Sequence, residues 1–460
     1  MGAPNTNGND SRLSFWLRVR EFAVPPSMIE TATARRRASD WAGACAAAGF
    51  DVDIDLRALA RRFGRDLAAR VEDDLRFLAP DLLRWHLPRV APDGFLRPGS
   101  TIALAHYEVP VGGGIHCGAG DSVCLVVRTA PAWADAGQRV VLALWDGNRS
   151  VPHPHPRPDR RFRLDLHRHL WDARRAGELR ERCGAIESAS GGALDPALRG
   201  MVPQGCAVDR WVDEAGILLR AEGRRTGLLR VRFGGRGELV LELDPDGGGL
   251  PTLTVAESFP RGSVSGLPIL PDAATWVLPD LELLRAGALT PDRLHPLVAA
   301  ALAPDCPPPD VRGGAVRRTD PYLVDCRGEQ HRIGLSDGVL TALDHDPAEI
   351  RREELLVALT GVPLPCLRVI DRAHRRPDTL TGVRERLDHG DIAGALAVVE
   401  GLLGSEAVLR DGPLLDALEE SARRQHTYEL FRAGLTGPGG VRAPSEHRRR
   451  RARPRHATGR

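Results

Sequence analysis

The chain has 460 residues, 42% hydrophobic and 27% charged, a balance that excludes a largely disordered protein and favours two to four folded domains. All 63 basic residues are arginine, and the absence of lysine excludes P-loop NTPases, Schiff-base enzymes and lysine-dependent acyl enzymes. Residues 441–460 hold eight of these arginines and one acid, so a mildly acidic body precedes a basic tail. We therefore expect that the chain neither binds nor hydrolyses ATP.

The amino-terminal region is predicted to be helical. Residues 1–12 are polar and predicted to be disordered, whereas 13–90 form a helical region. Within it, apolar residues recur at three- and four-residue steps from Leu56 to Leu78, which predicts one amphipathic helix that ends before Pro80.

Residues 100–260 are predicted to form a β-rich domain, a sandwich or a meander. The alternation over 161–167 predicts a strand with Phe162 on its apolar face. In the segment 216–243, a three-residue loop would place Val231 opposite Leu239 and Arg232 opposite Glu238.

The rest of the chain is predicted to be mixed and then helical. A mixed α/β segment covers 261–345, with two short helices in 279–303 and a hairpin in 320–343. A helical domain covers 346–435, and its first helix is capped by Asp346. The last predicted segment is a disordered basic tail, 436–460, dispensable for folding. The fold class is therefore α+β and multidomain, with repeat-like helical hairpins in the carboxy-terminal region.

One internal similarity links the two helical regions. Asp40-Trp-Ala-Gly-Ala-Cys-Ala46 matches Asp391-Ile-Ala-Gly-Ala-Leu-Ala397, and each follows an arginine-rich helix. Small residues beside each other suggest close helix packing. We expect Gly43 and Gly394 each to lie where a neighbouring helix approaches.

The sequence predicts a cytoplasmic protein. No apolar run is long enough to cross a membrane, and the amino terminus lacks the apolar segment of a secretory signal. The eight cysteines contain no C-x-x-C pair, which indicates reduced thiols.

The densest group of possible catalytic or metal-binding residues lies in 106–124. His106, His116, Cys117 and Cys124 surround a glycine-rich segment and could bind zinc, or Cys117 could act as a nucleophile. Their spacing matches no standard zinc motif, so the favoured interpretation is a glycine-rich loop between strands, and we expect a metal-free protein.

Other candidates have stronger structural explanations. Gly120-Asp121-Ser122 precedes its strand, unlike a hydrolase nucleophile, and Gly262–Gly266 has Val at its centre. Four residues faintly resemble a metal phosphohydrolase set: His331, His345, Asp346 and Asp371. The pairs His153/His155 and His167/His169 are interpreted as a solvated connector and an exposed strand face. The sequence therefore assigns no catalytic, cofactor-binding or metal residue.

The tail and the tryptophans offer two further possibilities. The arginine-rich tail could attract nucleic acid, although no aromatic residues are interleaved with it. The tryptophans at 16, 41, 85 and 276 favour packing over a ligand cage.

Three segments carry a resemblance to a known family: 12–53, 271–302 and 331–404, the last running from HRIGLSDGVL to LDHGDIAGALAVVEGLLG. They resemble an uncharacterised actinobacterial family encoded beside a MoxR-type AAA+ ATPase and a von Willebrand A-domain protein. The resemblance implies a non-enzymatic adaptor or recognition component working with that pair and without a cofactor. The alternatives are a metal- or Cys-dependent hydrolase using 106–124 and a nucleic-acid-associated protein acting through its tail.

Overall fold

The structure is a computed structural model. It describes residues 6–109, 122–147, 153–185, 193–194, 198–234, 237–244, 251–256, 264–305, 322–326, 329–336, 339–342, 348, 351–352, 382–403, 413–437 and 440–441.

The described residues form helices and mainly antiparallel sheets, so the protein has the predicted multidomain α+β fold. The helices are α1 (Thr6–Arg18), α2 (Pro26–Arg37), α3 (Trp41–Ala47), α4 (Leu56–Phe63), α5 (Arg65–Arg76), α6 (Pro80–His86), α7 (Leu179–Arg182), α8 (Leu198–Met201), α9 (Trp211–Ala221), α10 (Asp272–Thr275), α11 (Pro279–Arg285), α12 (Pro296–Leu302), α13 (Val383–His389), α14 (Ile392–Leu403) and α15 (Pro413–Arg432). The strands are β1 (Phe50–Asp53), β2 (Arg89–Val90), β3 (Phe95–Leu96), β4 (Thr101–Glu108), β5 (Ser122–Thr129), β6 (Val140–Trp145), β7 (Ala193–Leu194), β8 (Gly227–Phe233), β9 (Gly237–Asp244), β10 (Thr252–Val255), β11 (Tyr322–Cys326), β12 (Glu329–Ser336), β13 (Val339–Ala342), β14 (Thr436–Gly437) and β15 (Gly440–Val441). None of the helices among the described residues is both long and apolar enough to cross a bilayer.

The first sheet has the order β1-β6-β5-β4, with β1 parallel to β6. This corrects the expectation that 13–90 is wholly helical, because β1 lies inside that region. Gly49 adopts a left-handed φ of +75° after α3, and Phe50 then pairs with Val140 and is buried. The short Phe-Asp-Val-Asp alternation therefore becomes a strand once a neighbouring edge is available.

The first core packs this sheet against the amino-terminal helices and against a later segment of the chain. Buried side chains from Val19 to Cys183 share one cluster with Leu278, Leu283 and Val298. The helices α11 and α12 therefore pack in the same core as the amino-terminal helices, although they lie much later in the sequence.

The second core is built by β8, β9, β10 and α9, and it lies between those two parts of the sequence. Val231 pairs with Leu239 and Arg232 with Glu238, so the predicted hairpin register is confirmed. The register follows from the period of two, because a one-residue slip would expose the buried Val231 and Leu241.

The prediction of a strand over 161–167 is wrong. Hydrogen bonds from the Leu166 and His167 amides to the carbonyls of Arg163 and Leu164 form a 3-10 turn there. Only Arg163 pairs with a strand, in an isolated bridge to Ala103. Phe162 and Leu164 are nevertheless buried in the first core. Their side chains reach the core although the backbone does not pair as a β-strand.

Two helix boundaries also differ from the predictions. The apolar stripe from Leu56 to Leu78 is divided into α4 and α5 by Gly64, whose φ is +95°. Pro80 begins α6 instead of only ending a helix, since proline is well tolerated in the first helical turn. In addition, α1 begins at Thr6, so 6–12 are helical where disorder was expected.

The predicted short helices in 279–303 and the hairpin in 320–343 are confirmed by α11, α12 and the strand pair β12–β13. Asp346 lies outside the described residues, as does the tail beyond Val441.

The carboxy-terminal helices contact the first sheet and its loops. Tyr428 of α15 donates a hydrogen bond to Asp51 of β1 at 2.6 Å, and Arg432 forms an ion pair with Asp53. After α13, Gly390 lies against Gly137 of the β5–β6 connection: a Cβ built on Gly390 would lie 2.1 Å from the Gly137 oxygen. This contact requires both glycines.

At both glycines of the internal similarity, the atoms nearest to an added Cβ belong to the aspartate that caps the same helix. A Cβ on Gly43 would meet the Asp40 carboxylate at 2.1 Å, and a Cβ on Gly394 would meet that of Asp391 at 2.1 Å. Each amide donates to the Asp side chain that caps its own helix, at 2.8 and 2.9 Å. The glycine therefore makes room for the cap.

Candidate functional site

The first candidate site pairs His106 with Cys124 on adjacent strands. The two residues are directly opposite each other in the antiparallel pair β4–β5, and Cys124 Sγ lies 3.9 Å from His106 Nε2. Asp165 Oδ2 lies 3.5 Å from the same Nε2 and also forms an ion pair with Arg163. The structure thus brings together Cys, His and Asp, of which the sequence analysis had singled out only Cys124 and His106.

The geometry of this group does not suit a nucleophile. In a catalytic triad the acid orients one imidazole nitrogen while the other accepts the nucleophile's proton, whereas here both neighbours approach Nε2. Cys124 is 1% exposed, and burial raises the pKa of its thiol to about 12. Burial also lowers the pKa of His106, so neither a thiolate nor an imidazolium is favoured.

The other predicted candidates do not join this group. Several lie outside the described residues: His116, Cys117, Gly120, Asp121, Ser263, His345, Asp346 and Asp371. Ser122 begins β5 and pairs with Glu108. His331 lies in β12. Among the side chains that are described, no three His, Cys, Asp or Glu residues are arranged to hold a metal ion.

The interpretation of His167 and His169 as an exposed strand face is wrong. Both are 2% exposed, because the 3-10 turns direct them between the two cores. His167 Nε2 lies 3.2 Å from the Glu214 carboxylate, which Arg182 also contacts at 2.7 Å. Burial lowers the pKa of His169, so this residue remains neutral.

The second candidate is a cavity of about 490 Å³. Four separate segments form it: α1, the end of α6 with the residues that follow it, the 161–170 turns, and α10 with the start of α11. Five aromatic side chains line it: Phe15, Trp16, Trp85, Phe162 and Trp276. Its size and apolar lining are typical of a small-molecule site.

The charged lining of the cavity is mainly basic. Its arginines are Arg12, Arg89, Arg97, Arg161 and Arg163, while Asp272 is the only acidic residue among the described residues that line it. Three of these arginines have carboxylate partners: Arg12 contacts Glu282 at 2.8 Å, Arg161 contacts Asp272 at 2.5 Å and Arg163 contacts Asp165 at 2.8 Å. The lining therefore carries more positive than negative charge.

Arg89 and Arg97 are different from the other three. Arg89 donates to the carbonyls of Gly94 and Arg84 at 2.8 and 2.7 Å, and its buried Nε has no hydrogen-bond partner. Burial lowers its pKa well below the ordinary value. Arg97 is exposed, lies 6.0 Å from the Phe162 ring centroid and has no ion pair within 4.0 Å among the described residues. The guanidinium group of Arg97 is therefore available to an anion, whereas that of Arg89 is buried and donates to the two carbonyls.

A buried group of His and Asp residues lies behind the aromatic side chains that line the cavity. Trp85 Nε1 donates to Asp280 at 2.7 Å, and His295 Nε2 lies 2.8 Å from Asp81. Because His295 Nδ1 accepts from the Leu297 amide, the ring proton is on Nε2. His86 lines the cavity with a side chain 2% exposed; its Nε2 has no hydrogen-bond partner, and burial lowers its pKa to about 3.

Packing was predicted for three of these tryptophans from the sequence, and the structure adds a cavity. Trp16 and Trp85 do pack, with ring centroids 5.6 Å apart, yet both also line the cavity with Trp276. The lining residues come from distant segments, so no local motif could have revealed them. The excess of arginine over acid among them appears only after folding.

Comparison with known proteins gives no match: no family model fits the sequence, and neither a curated protein nor a solved structure is significantly similar to it. The function must therefore be inferred from the contacts and charges of the chain's own residues.

Proposed function

We propose that this chain is a non-catalytic recognition component that binds a protein partner, namely an AAA+ ATPase, a von Willebrand A-domain protein or both. The observation that carries the proposal is an uncovered apolar face on α14. Ile392 and Leu396 lie one helical turn apart and are 46% and 42% exposed. Exposed neighbouring apolar side chains of this kind mark protein-binding surfaces.

The opposite face of α14 is buried and holds the helix in place. Ala395 and Val399 are 0% and 6% exposed and pack in one cluster with Val383 and Leu387 of α13. Ala393 and Ala397 accompany Ile392 and Leu396 on the exposed side. An ordered helix with a second apolar face suits insertion into a groove of a partner.

The choice of partner rests on the family resemblance. The chain has no lysine for a phosphate-binding loop, and the sequence contains no D-x-S-x-S metal motif of a von Willebrand A domain. In a three-protein system of this kind it would supply neither activity, which leaves recognition. The two Asp-capped helical turns are proposed to be repeat-like units that present such surfaces.

The proposed location is the cytoplasm. Cys45, Cys124, Cys183 and Cys206, the cysteines whose side chains are described, form no disulfide. Free buried thiols are typical of a reducing compartment.

The test uses the purified full-length chain with an AAA+ ATPase and a von Willebrand A-domain protein from the same genome, of the kinds that the family resemblance implies. We expect a stable complex with at least one of them by isothermal titration calorimetry. Leu396→Glu should weaken it at least about tenfold, because a carboxylate on an apolar contact must be desolvated. Met201→Glu is the matched control, since Met201 is 52% exposed on the distant helix α8.

Two outcomes would contradict the proposal. The partner assignment fails if neither protein binds at micromolar concentration, alone or mixed. The surface assignment fails if Leu396→Glu binds as tightly as Met201→Glu.

The hydrolase alternative requires chemistry from His116 and Cys117, which lie outside the described residues. One equivalent of zinc in the purified protein, lost on Cys124→Ser, would support it. The nucleic-acid alternative requires the tail, and it would be supported by oligonucleotide binding that disappears on truncation at Thr436.

A further inference from the structure

The cavity lined by Trp16, Trp85 and Trp276 has features that packing alone does not require. This space of about 490 Å³ is a cleft that is partly open to solvent. Clefts of this size with a mainly apolar and aromatic lining are typical of small-molecule sites. A space of this size beside five aromatic rings is therefore suited to a ligand.

The aromatic wall favours a flat ligand. Trp16 and Trp85 lie with their ring centroids 5.6 Å apart, and Arg12 lies over Trp276 at 5.1 Å from its ring centroid. Aromatic rings prefer offset-stacked or edge-to-face neighbours. A planar ring system can meet this geometry with little conformational entropy to lose.

The charges favour an anion. The single lining acid, Asp272, is already engaged by Arg161, while Arg97 and Arg89 have no carboxylate partner within 4.0 Å among the described residues. Arginine binds carboxylate and phosphate groups through paired N–H donors, and such charge-assisted bonds strengthen where water is excluded.

We propose that this cavity binds a small organic anion with a planar aromatic body, its rings against Trp16 and Trp276 and its acidic group against Arg97. The shared chemistry includes aromatic carboxylates, sulfonates and phosphate monoesters. The site is separate from the apolar face of α14, so this inference does not depend on the proposed protein partner.

The test measures fluorescence of 8-anilinonaphthalene-1-sulfonate titrated with the full-length native protein. N-phenyl-1-naphthylamine, which has the same rings without the sulfonate, is the neutral comparison. We expect saturable binding of one sulfonate probe per chain and at least about tenfold weaker binding of the neutral probe, because a hydrogen-bonded charge is lost.

Two variants locate the probe. Arg97→Gln should weaken sulfonate binding about tenfold while leaving the neutral probe unchanged, because Arg97 is exposed and its loss leaves the rings in place. Ala273→Leu, which adds volume to a lining residue, should weaken both probes. Arg65→Gln, at an exposed arginine of α5, is the control and should change neither. Circular dichroism establishes that each variant is folded.

The proposal is overturned by three results. The native protein could show no saturable sulfonate binding. The neutral probe could bind as tightly as the sulfonate, which would show that the cavity has no preference for an anionic ligand. Finally, binding could be unchanged in both folded variants, Arg97→Gln and Ala273→Leu, which would place the probe elsewhere.

Discussion

The two Asp-capped helical turns, 35–44 and 386–395, share a local structure but have different surroundings. Asp40 accepts from the Gly43 amide and from Arg35 at 2.8 and 3.0 Å. Asp391 accepts from the Gly394 amide and from Arg386 at 2.9 and 2.8 Å. The two arginines precede their aspartates by the same five residues, so the same spacing produces the same cap.

The difference lies in burial. The side chains of Arg35 and Asp40 are 60% and 38% exposed, whereas those of Arg386 and Asp391 are 20% and 11% exposed. The residue before each aspartate has a positive φ: Ser39 is exposed, while Gly390 lies against Gly137. One motif therefore ends a helix at the surface in the first case and anchors helices to the body in the second.

The largest expected effect comes from the glycine contact. Gly390→Ala should destabilise the α13–α14 hairpin by about 2–4 kcal/mol, because it combines left-handed strain with overpacking against Gly137. Hydrogen exchange of peptides covering 383–403 measures the loss of protection. Gly434→Ala separates the two causes, since Gly434 has a φ of +71° and no atom within 4 Å of its Cβ position. Equal losses in both variants would show that the contact contributes nothing.

The caps should differ in energy although they share geometry. Asp391→Ala should destabilise its helix by about 2 kcal/mol, because it removes a cap and leaves the largely buried Arg386 without its carboxylate. Asp40→Ala should destabilise its helix less, since solvent screens its exposed pair. Hydrogen exchange of peptides spanning each helix compares them. Equal losses would mean that burial does not change the value of the cap.

Of the two turns, only the second has a histidine two residues before its capping aspartate. His389 is 1% exposed beside the rings of Phe22 and Phe95, and burial, followed by Arg89 and Arg84, lowers its pKa to about 3. A depressed histidine pKa means that the unfolded segment binds the proton more readily, so stability is lost as the pH falls below about 6.5.

From pH 7.5 to 5.5, protection of 383–403 should therefore decrease by about 1.4 kcal/mol. The same measurement on His389→Gln should lack this decrease. Persistence of the pH dependence in that variant would assign it to another group.

The smallest effect concerns the capped glycines. In Gly43→Ala the new methyl displaces the Asp40 carboxylate, and loss of the cap offsets a gain in helix propensity of up to about 1 kcal/mol. We therefore expect a net change near zero. In an Asp40→Ala background, the same substitution should stabilise the helix by about 1 kcal/mol. Thermal melts of the four proteins form a double-mutant cycle, and additive effects would contradict the proposed link.

Local patterns account for the elements that the sequence predicted well. The β8–β9 register was predictable because alternation permits one pairing that buries Val231 and exposes Arg232. The short helices α11 and α12 each begin with a proline at the first position, a local signal that does not depend on the rest of the fold. The caps at Asp40 and Asp391 are also local, although the only cap predicted from the sequence was Asp346.

The failures arose where a distant partner decided the structure. β1 is short, and it becomes a strand by pairing with β6, ninety positions later in the chain. The alternation at 161–167 indicated a strand, but the turns there let His167 reach Glu214 between the two cores. A period in the sequence identifies which side chains are buried, and it does not identify the backbone path that buries them.

The sequence by itself determined the fold class, the hairpin register, the capped helices and the exclusion of lysine-dependent chemistry, because each follows from residue type or from contacts within a few residues. Tertiary structure brought both Cys124 and Asp165 to Nε2 of His106. It also brought together the four distant segments that form the basic, aromatic cavity. It also decided which of two equal caps is buried. These outcomes depend on contacts between residues far apart in the chain, and their burial sets the pKa values and the strength of each charge.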